Sequence, residues 1–173
     1  MPDLAGVRRA FGRAAHSYDA AAVLQREIGG RMLERLDYIR IEPRRILDLG
    51  CGTGAWLDPL RRRYGGSAVT GLDLALPMLR SAAARDALWR RLIGRPSADL
   101  VCAHADAVPL ADASVDLVWS NLMLQWLPDP APAFAEVRRV LKPGGLFMFS
   151  TFGPDTLMEL RHAFAGSGRD AVN

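Results

Sequence analysis

Within residues 46–54, Asp48, Gly50, Gly52 and Gly54 stand in the pattern D-x-G-x-G-x-G at the end of an apolar run. Such a run, closed by an acid and closely spaced glycines, describes a buried strand that turns sharply into a helix. Gly50 and Gly52 carry no side chain, so a ribose and its linking atoms can approach the main chain, and Gly54 lets the next helix start against the strand. A second apolar run, 68–73, ends in Asp73 about 20 residues on, where a carboxylate is expected to accept both ribose hydroxyl protons. The chemistry predicted is therefore the binding of a nucleoside.

The spacing Gly50-x-Gly52-x-x-Ala55 also satisfies the dinucleotide pattern. Asp48 argues for a ligand without a pyrophosphate, because a carboxylate beside the loop repels phosphates yet can hold an ammonium group. With Asp48 included, the loop resembles motif I of class I S-adenosylmethionine-dependent methyltransferases. That resemblance implies S-adenosylmethionine as cofactor and S-adenosylhomocysteine as product.

The elements that must position these residues follow from periodicity. Helices are expected at 4–15 and 18–38, then strands 45–49, 68–73, 99–104, 115–121 and 146–152 alternating with helices 55–64, 77–91, 133–141 and 155–164. Strand–helix alternation predicts a mostly parallel sheet covered on both faces, a three-layer α-β-α Rossmann-like fold. Ligands then lie beyond the carboxyl ends of the strands, where strand order reverses. Those ends also present Asp106 and Ala107, expected to meet the adenine amino group and a ring nitrogen, and Asn121. An isolated aspartate such as Asp106 also reads as a loop or capping residue.

Composition sets bounds. A chain of 173 residues, half of them hydrophobic, can bury a sizeable core as one soluble domain. No apolar run approaches the roughly 18–20 residues of a membrane span. A net charge of +3, without aromatics interleaved among basic residues, gives no nucleic-acid signature. Cys51 in the glycine loop and Cys102 in an expected buried strand imply reduced thiols and a cytoplasmic setting. The three histidines show no ligand spacing with the cysteines, so no metal site is expected. Arg61, Arg62 and Arg63 suit a helix C-terminus. Arg8, Arg9 and Arg13, with Arg138 and Arg139, read either as solvated helix faces or as a surface for an acidic partner.

Across nearly the whole chain the sequence resembles the BioC family, the malonyl-[acyl-carrier protein] O-methyltransferases of biotin synthesis. The specific parts are Phe11-Gly12-Arg13-Ala14-Ala15-x-x-Tyr18-Asp19 followed by Leu24-Gln25, and Trp119-Ser120-Asn121-Leu122-x-x-Gln125-Trp126. Asp73-Leu74 with Pro77-Met78-Leu79, Lys142-Pro143-Gly144-Gly145 and residues 151–157 also fit. The resemblance implies methylation of the free carboxylate of a malonyl thioester on acyl-carrier protein, with no nucleic-acid or membrane partner. It implies an acceptor-site helical segment over 1–42 and a cofactor domain over 43–173. It also implies cofactor contacts from Gln25, Asp48, Gly50, Cys51, Gly52, Gly54, Asp73, Leu74, Met78, Asp106, Ala107 and Asn121, and catalytic roles for Tyr18 and Gln125.

A carboxylate is already ionised near neutral pH, so its attack on a sulfonium methyl needs no general base, and positioning carries the catalysis. Tyr18 reads either as the positioning hydroxyl or as a helix anchor, and Trp126 either as pocket wall or as core. Three other readings stand beside this one: a different small-molecule methyltransferase of the class, an arginine hydroxylase like the complex I assembly factors, and a cofactor-binding interaction protein. Class I methyltransferases add two strands after the fifth. Only one helix and residues 166–173 follow 146–152 here, so the sheet is expected to lack its last two strands and to expose that run at an edge.

Overall fold

The computed structural model describes residues 3–93, 99–153, 155, 156 and 158, with the side chains of 86–93 excepted. Five strands, β1 (Arg45–Leu49), β2 (Ala68–Asp73), β3 (Asp99–Cys102), β4 (Val115–Asn121) and β5 (Leu141–Ser150), form one sheet in the order β3-β2-β1-β4-β5. All its pairings are parallel. The helices are α1 (Leu4–Ala14), α2 (Tyr18–Ala21), α3 (Val23–Arg35), α4 (Leu57–Arg63), α5 (Leu76–Ile93) and α6 (Ala131–Val140).

The central strands are apolar because both of their faces are covered. Ile46, Leu117 and Trp119 point to one layer and pack with Met32, Leu57 and Leu60 of the helices there. Leu47, Leu49 and Val118 point to the other and meet Ala133, Val137 and Val140 of α6. Alternation along each strand thus divides the core into two layers around the sheet. Local chemistry fixes helix starts: the Asp3 carboxylate caps α1 by accepting from the N–H groups of Ala5 and Gly6, both at 3.0 Å.

Three expectations need correction. The helix expected over 18–38 breaks at Ala22 (φ −78°, ψ 44°), because Asp19 is claimed by partners elsewhere: its carboxylate by Thr53 and Arg85, its carbonyl by Arg26. Cys102 is exposed, since β3 is an edge strand and Cys102 is its last residue, whereas Cys51 is buried. The strand expected at 146–152 spans 141–150 instead. Leu141 pairs with Val115 and Leu146 with Leu117, so residues 142–145 bulge out of the ladder, with Gly144 at φ +79°. β5 does lie at the sheet edge, and among the described residues no strand pairs with its outer side. There the rings of Phe147 and Phe149 stack at 4.8 Å, with Phe134 edge-on to each. The helix expected at 155–164 falls largely outside the described residues, as does 166–173.

Asp116 closes the bulge. One carboxylate oxygen accepts from Lys142 Nζ at 2.7 Å and the other from the N–H groups of Arg44 and Arg45 at 2.9 and 2.8 Å, so one side chain joins β1, β4 and β5. Partial burial pushes the carboxyl up, but the hydrogen bonds from Lys142 and the two N–H groups outweigh it and hold the acid below its ordinary range. A depressed folded-state pKa stabilises above the unfolded value of about 3.9 and loses that contribution as pH falls through the folded value. Asp116→Asn is therefore expected to cost about 1–3 kcal/mol in urea denaturation at neutral pH. The gap to wild type should close in acid; a gap independent of pH would mean the charge is not what matters.

Candidate functional site

Strand order reverses between β1 and β4, so the loops that follow them diverge and leave a crevice at their carboxyl ends. The three glycines after β1 all have positive φ, +80° at Gly50, +53° at Gly52 and +75° at Gly54. They do different jobs. A Cβ on Gly50 would lie 2.3 Å from Met123 Cγ and one on Gly54 2.9 Å from Ala82 Cβ, so these two allow close packing against the β4 loop and α5. A Cβ on Gly52 would meet nothing within 4 Å; it projects into open space.

The loop is held from the next strand. Leu72 O accepts from the N–H groups of Gly50 and Cys51 at 2.8 and 3.0 Å. The Asp73 carboxylate accepts from Gly52 N–H through one oxygen and Ala75 N–H through the other, both at 2.8 Å. Burial raises the Asp73 carboxyl, against the N–H groups of Ala75, Gly52 and Leu74 that favour its charged form. Asp48 lies underneath at 1% exposure, with Oδ2 buried and unpartnered. Burial first, then repulsion from Asp73, pushes its pKa to about 8. Burial and the same two acids push the Cys51 thiol well up.

Two cavities meet at this loop. The first, about 720 Å³ including its open mouth, runs between the β2, β3 and β4 ends and the inner face of α1; Tyr18, Gly50, Gly52, Asp73, Leu74, Met78 and Asn121 line it. The second, about 580 Å³ on the same measure, takes Gln25 and Cys51 together with Tyr18, Gly50, Gly52 and Asn121. Tyr18 and Asn121 therefore stand where the two join. Burial raises the Tyr18 phenol, with further repulsion from Asp73 and Asp19, and its ring packs at 6.0 Å on Phe11. Phe11 in turn meets Trp126 edge-on at 5.1 Å, and both line the first cavity. Asn121 ties three elements, donating to Gln25 O at 2.8 Å while its oxygen accepts from Ser150 Oγ at 2.9 Å.

Asp48, Gly54, Asp106, Ala107 and Gln125 line neither cavity. Gln125 donates to Leu122 O at 2.7 Å, and its own oxygen is buried without a partner. The Ala107 N–H donates to His104 O at 3.1 Å. Asp106 is turned onto His104 Nδ1, and it is His104 that lines the first cavity. Asp19 was visible only as part of the Tyr18-Asp19 pair, and neither Thr53 nor Arg85 gave a signal, because their bonds close across 34 and 66 residues.

Residues 47–149 match the family model described as a methyltransferase domain. A malonyl-[acyl-carrier protein] O-methyltransferase from Methylovorus sp. (strain MP688) is 55% identical over 161 residues, which is 93% of this chain and 54% of that protein. The chain spans a little over half the length of the curated relatives it matches first, 54–59%. Among solved structures, an S-adenosylmethionine-dependent methyltransferase from Mesorhizobium loti is 36% identical, with a TM-score of 0.56 over 70% of this chain and 53% of its own. The [4+2]-cyclase SpnF is 30% identical, with a TM-score of 0.58 over 68% and 42%, so the fold alone does not name a reaction. The family model covers more than half of the sequence, including most of β1, the glycine loop and all of β2, β3 and β4, and the chain belongs to the methyltransferase-domain family.

Proposed function

We propose that the chain is the cofactor-binding and acceptor-side part of an S-adenosylmethionine-dependent O-methyltransferase that esterifies the free carboxylate of malonyl-acyl-carrier protein in the cytoplasm. Tyr18 carries this reading: it lines both cavities at their junction, on the N-terminal helical segment (1–42) that walls the acceptor side. The names of the relatives supply the acceptor.

The residues fit the cofactor. Gly52 presents main chain to open space, the Asp73 carboxylate lies beside it for a ribose, and the second cavity, with Gln25, Cys51 and Thr53, suits the amino-acid end. Asp48 fits less directly. It lies beneath the loop and lines neither cavity, so its part is to support the loop and not to touch a ligand ammonium. When bound, S-adenosylmethionine supplies an electrophilic methyl group on a sulfonium. The protein's part is to orient the carboxylate oxygen toward that methyl and to exclude water. Leu4, Val7, Phe11 and Met78 give the cleft apolar walls, and the Tyr18 phenol, kept protonated, is a hydrogen-bond donor to an oxyanion.

Gly52→Val fills the open space at the loop and forces a branched residue to φ +53°. The folded variant is expected to lose S-adenosylhomocysteine binding by calorimetry; wild-type affinity would remove the loop from the cofactor site.

Mass spectrometry of malonyl-acyl-carrier protein incubated with the protein and S-adenosylmethionine should detect one added methyl. Cofactor binding without transfer to any malonyl thioester would refute the acceptor while leaving the cofactor reading intact. In the same assay Tyr18→Phe is expected to lower turnover while S-adenosylhomocysteine affinity holds, since the ring still packs on Phe11. Unchanged turnover with a lower melting temperature would make Tyr18 an anchor only.

A further inference from the structure

The first cavity is apolar along its α1 wall except at one point. Leu4, Val7, Arg8 and Phe11 recur at helical spacing and all line it, so Arg8, though exposed, borders the cavity-facing stripe of α1. Its neighbour Arg9 turns outward and pairs with Asp3. Arg8 has no ion pair among the described residues, and it is the one cation of arginine or lysine type among those lining the cavity. The other ionisable groups of the lining are Tyr18, Asp73 and His104, the last engaged with Asp106. Asp73 carries the same sign as a carboxylate acceptor and repels it, so an anion can occupy this cleft only if a cation offsets that repulsion.

We propose that Arg8 is the specificity-determining residue for the acceptor: its guanidinium pairs with the free carboxylate that is to be methylated and releases it once esterification removes the charge. This rests on the malonyl-acceptor reading above. An exposed arginine paired with a carboxylate in water contributes little. Here the acceptor itself, lying against Leu4, Val7 and Phe11, strips water from the pair and strengthens it. The same arrangement discriminates substrate from product, because a methyl ester has no charge to pair and leaves the guanidinium without a partner in an apolar wall.

The test is calorimetric titration of the S-adenosylhomocysteine-saturated protein with S-malonyl-N-acetylcysteamine and with its methyl ester, neither of which carries a phosphate. Wild type is expected to prefer the acid by about tenfold or more, as a charge-assisted pair provides. Arg8→Gln should bring the two affinities together, Arg8→Lys should restore part of the preference, and Arg13→Gln should leave it as in wild type. S-adenosylhomocysteine affinity and melting temperature should hold in Arg8→Gln. A preference for the acid that persists in Arg8→Gln overturns the role of Arg8 alone, whereas a wild-type protein that binds neither thioester overturns the acceptor reading itself.

Discussion

The site depends on one carboxylate. Asp73 receives the N–H of Gly52 through one oxygen and that of Ala75 through the other, and so fastens the turn after β1 to the turn after β2. A loop with three glycines in the left-handed region gives up much conformational freedom on ordering, and nothing in its own sequence favours the observed shape over others. Its order comes from the neighbouring strand, through Asp73 and the Leu72 carbonyl. An acid at the end of β2 thus shapes the floor of the site before any ligand arrives, and the lone pairs it has left face the same cleft.

The opposite lip is built by a different device. Leu122 follows β4 with φ +50°, a conformation that costs a residue with a side chain about 1–2 kcal/mol. It is held there by burial, by Ser150, whose hydroxyl and carbonyl both accept from its N–H, and by Gln125, which donates to its carbonyl. The strain turns the chain away from β1 at the switch point. It lets Met123 reach over Gly50, where a Cβ would collide, so the glycine and the strained leucine are two sides of one contact.

Much of this was legible in the sequence. The central strands are apolar runs closed by polar residues, and the glycine loop with Asp73 marks their carboxyl ends without any need for structure. What escaped is what long-range partners decide. The break at Ala22 follows from the bonds of Asp19 to Thr53 and Arg85, which no window of local periodicity contains. The bulge in β5 follows from Asp116 gathering Lys142 and the start of β1. At the end of β3 the strand stops two residues sooner than expected, and the chain beyond it lays Ala103, His104 and Ala105 along the cleft, not Asp106. The resemblance implies a catalytic role for Gln125, whereas its amide donates to the backbone of Leu122 and lines neither cavity. Residue type named the strand ends well and the side-chain directions beyond them poorly.

The distribution of acid and base along the cleft bears on what the site can do. Asp48 and Asp73 lie beneath and beside the same loop, and the buried pair cannot readily carry two charges; the deeper one takes the proton, with its pKa raised to about 8. That proton is sealed from both cavities, so Asp48 is no general base for an acceptor. The Tyr18 phenol, raised by burial and by two nearby acids, is a donor and not an acceptor of protons near neutrality. His104 is bonded to Asp106 through Nδ1 at the β3 end, and its Nε2 is buried without a partner. The ionisable side chains that line the first cavity are thus Arg8, Tyr18, Asp73 and His104, set against the apolar wall of α1. An acceptor that brings a nucleophile already ionised, as a carboxylate does, needs none of them to remove a proton.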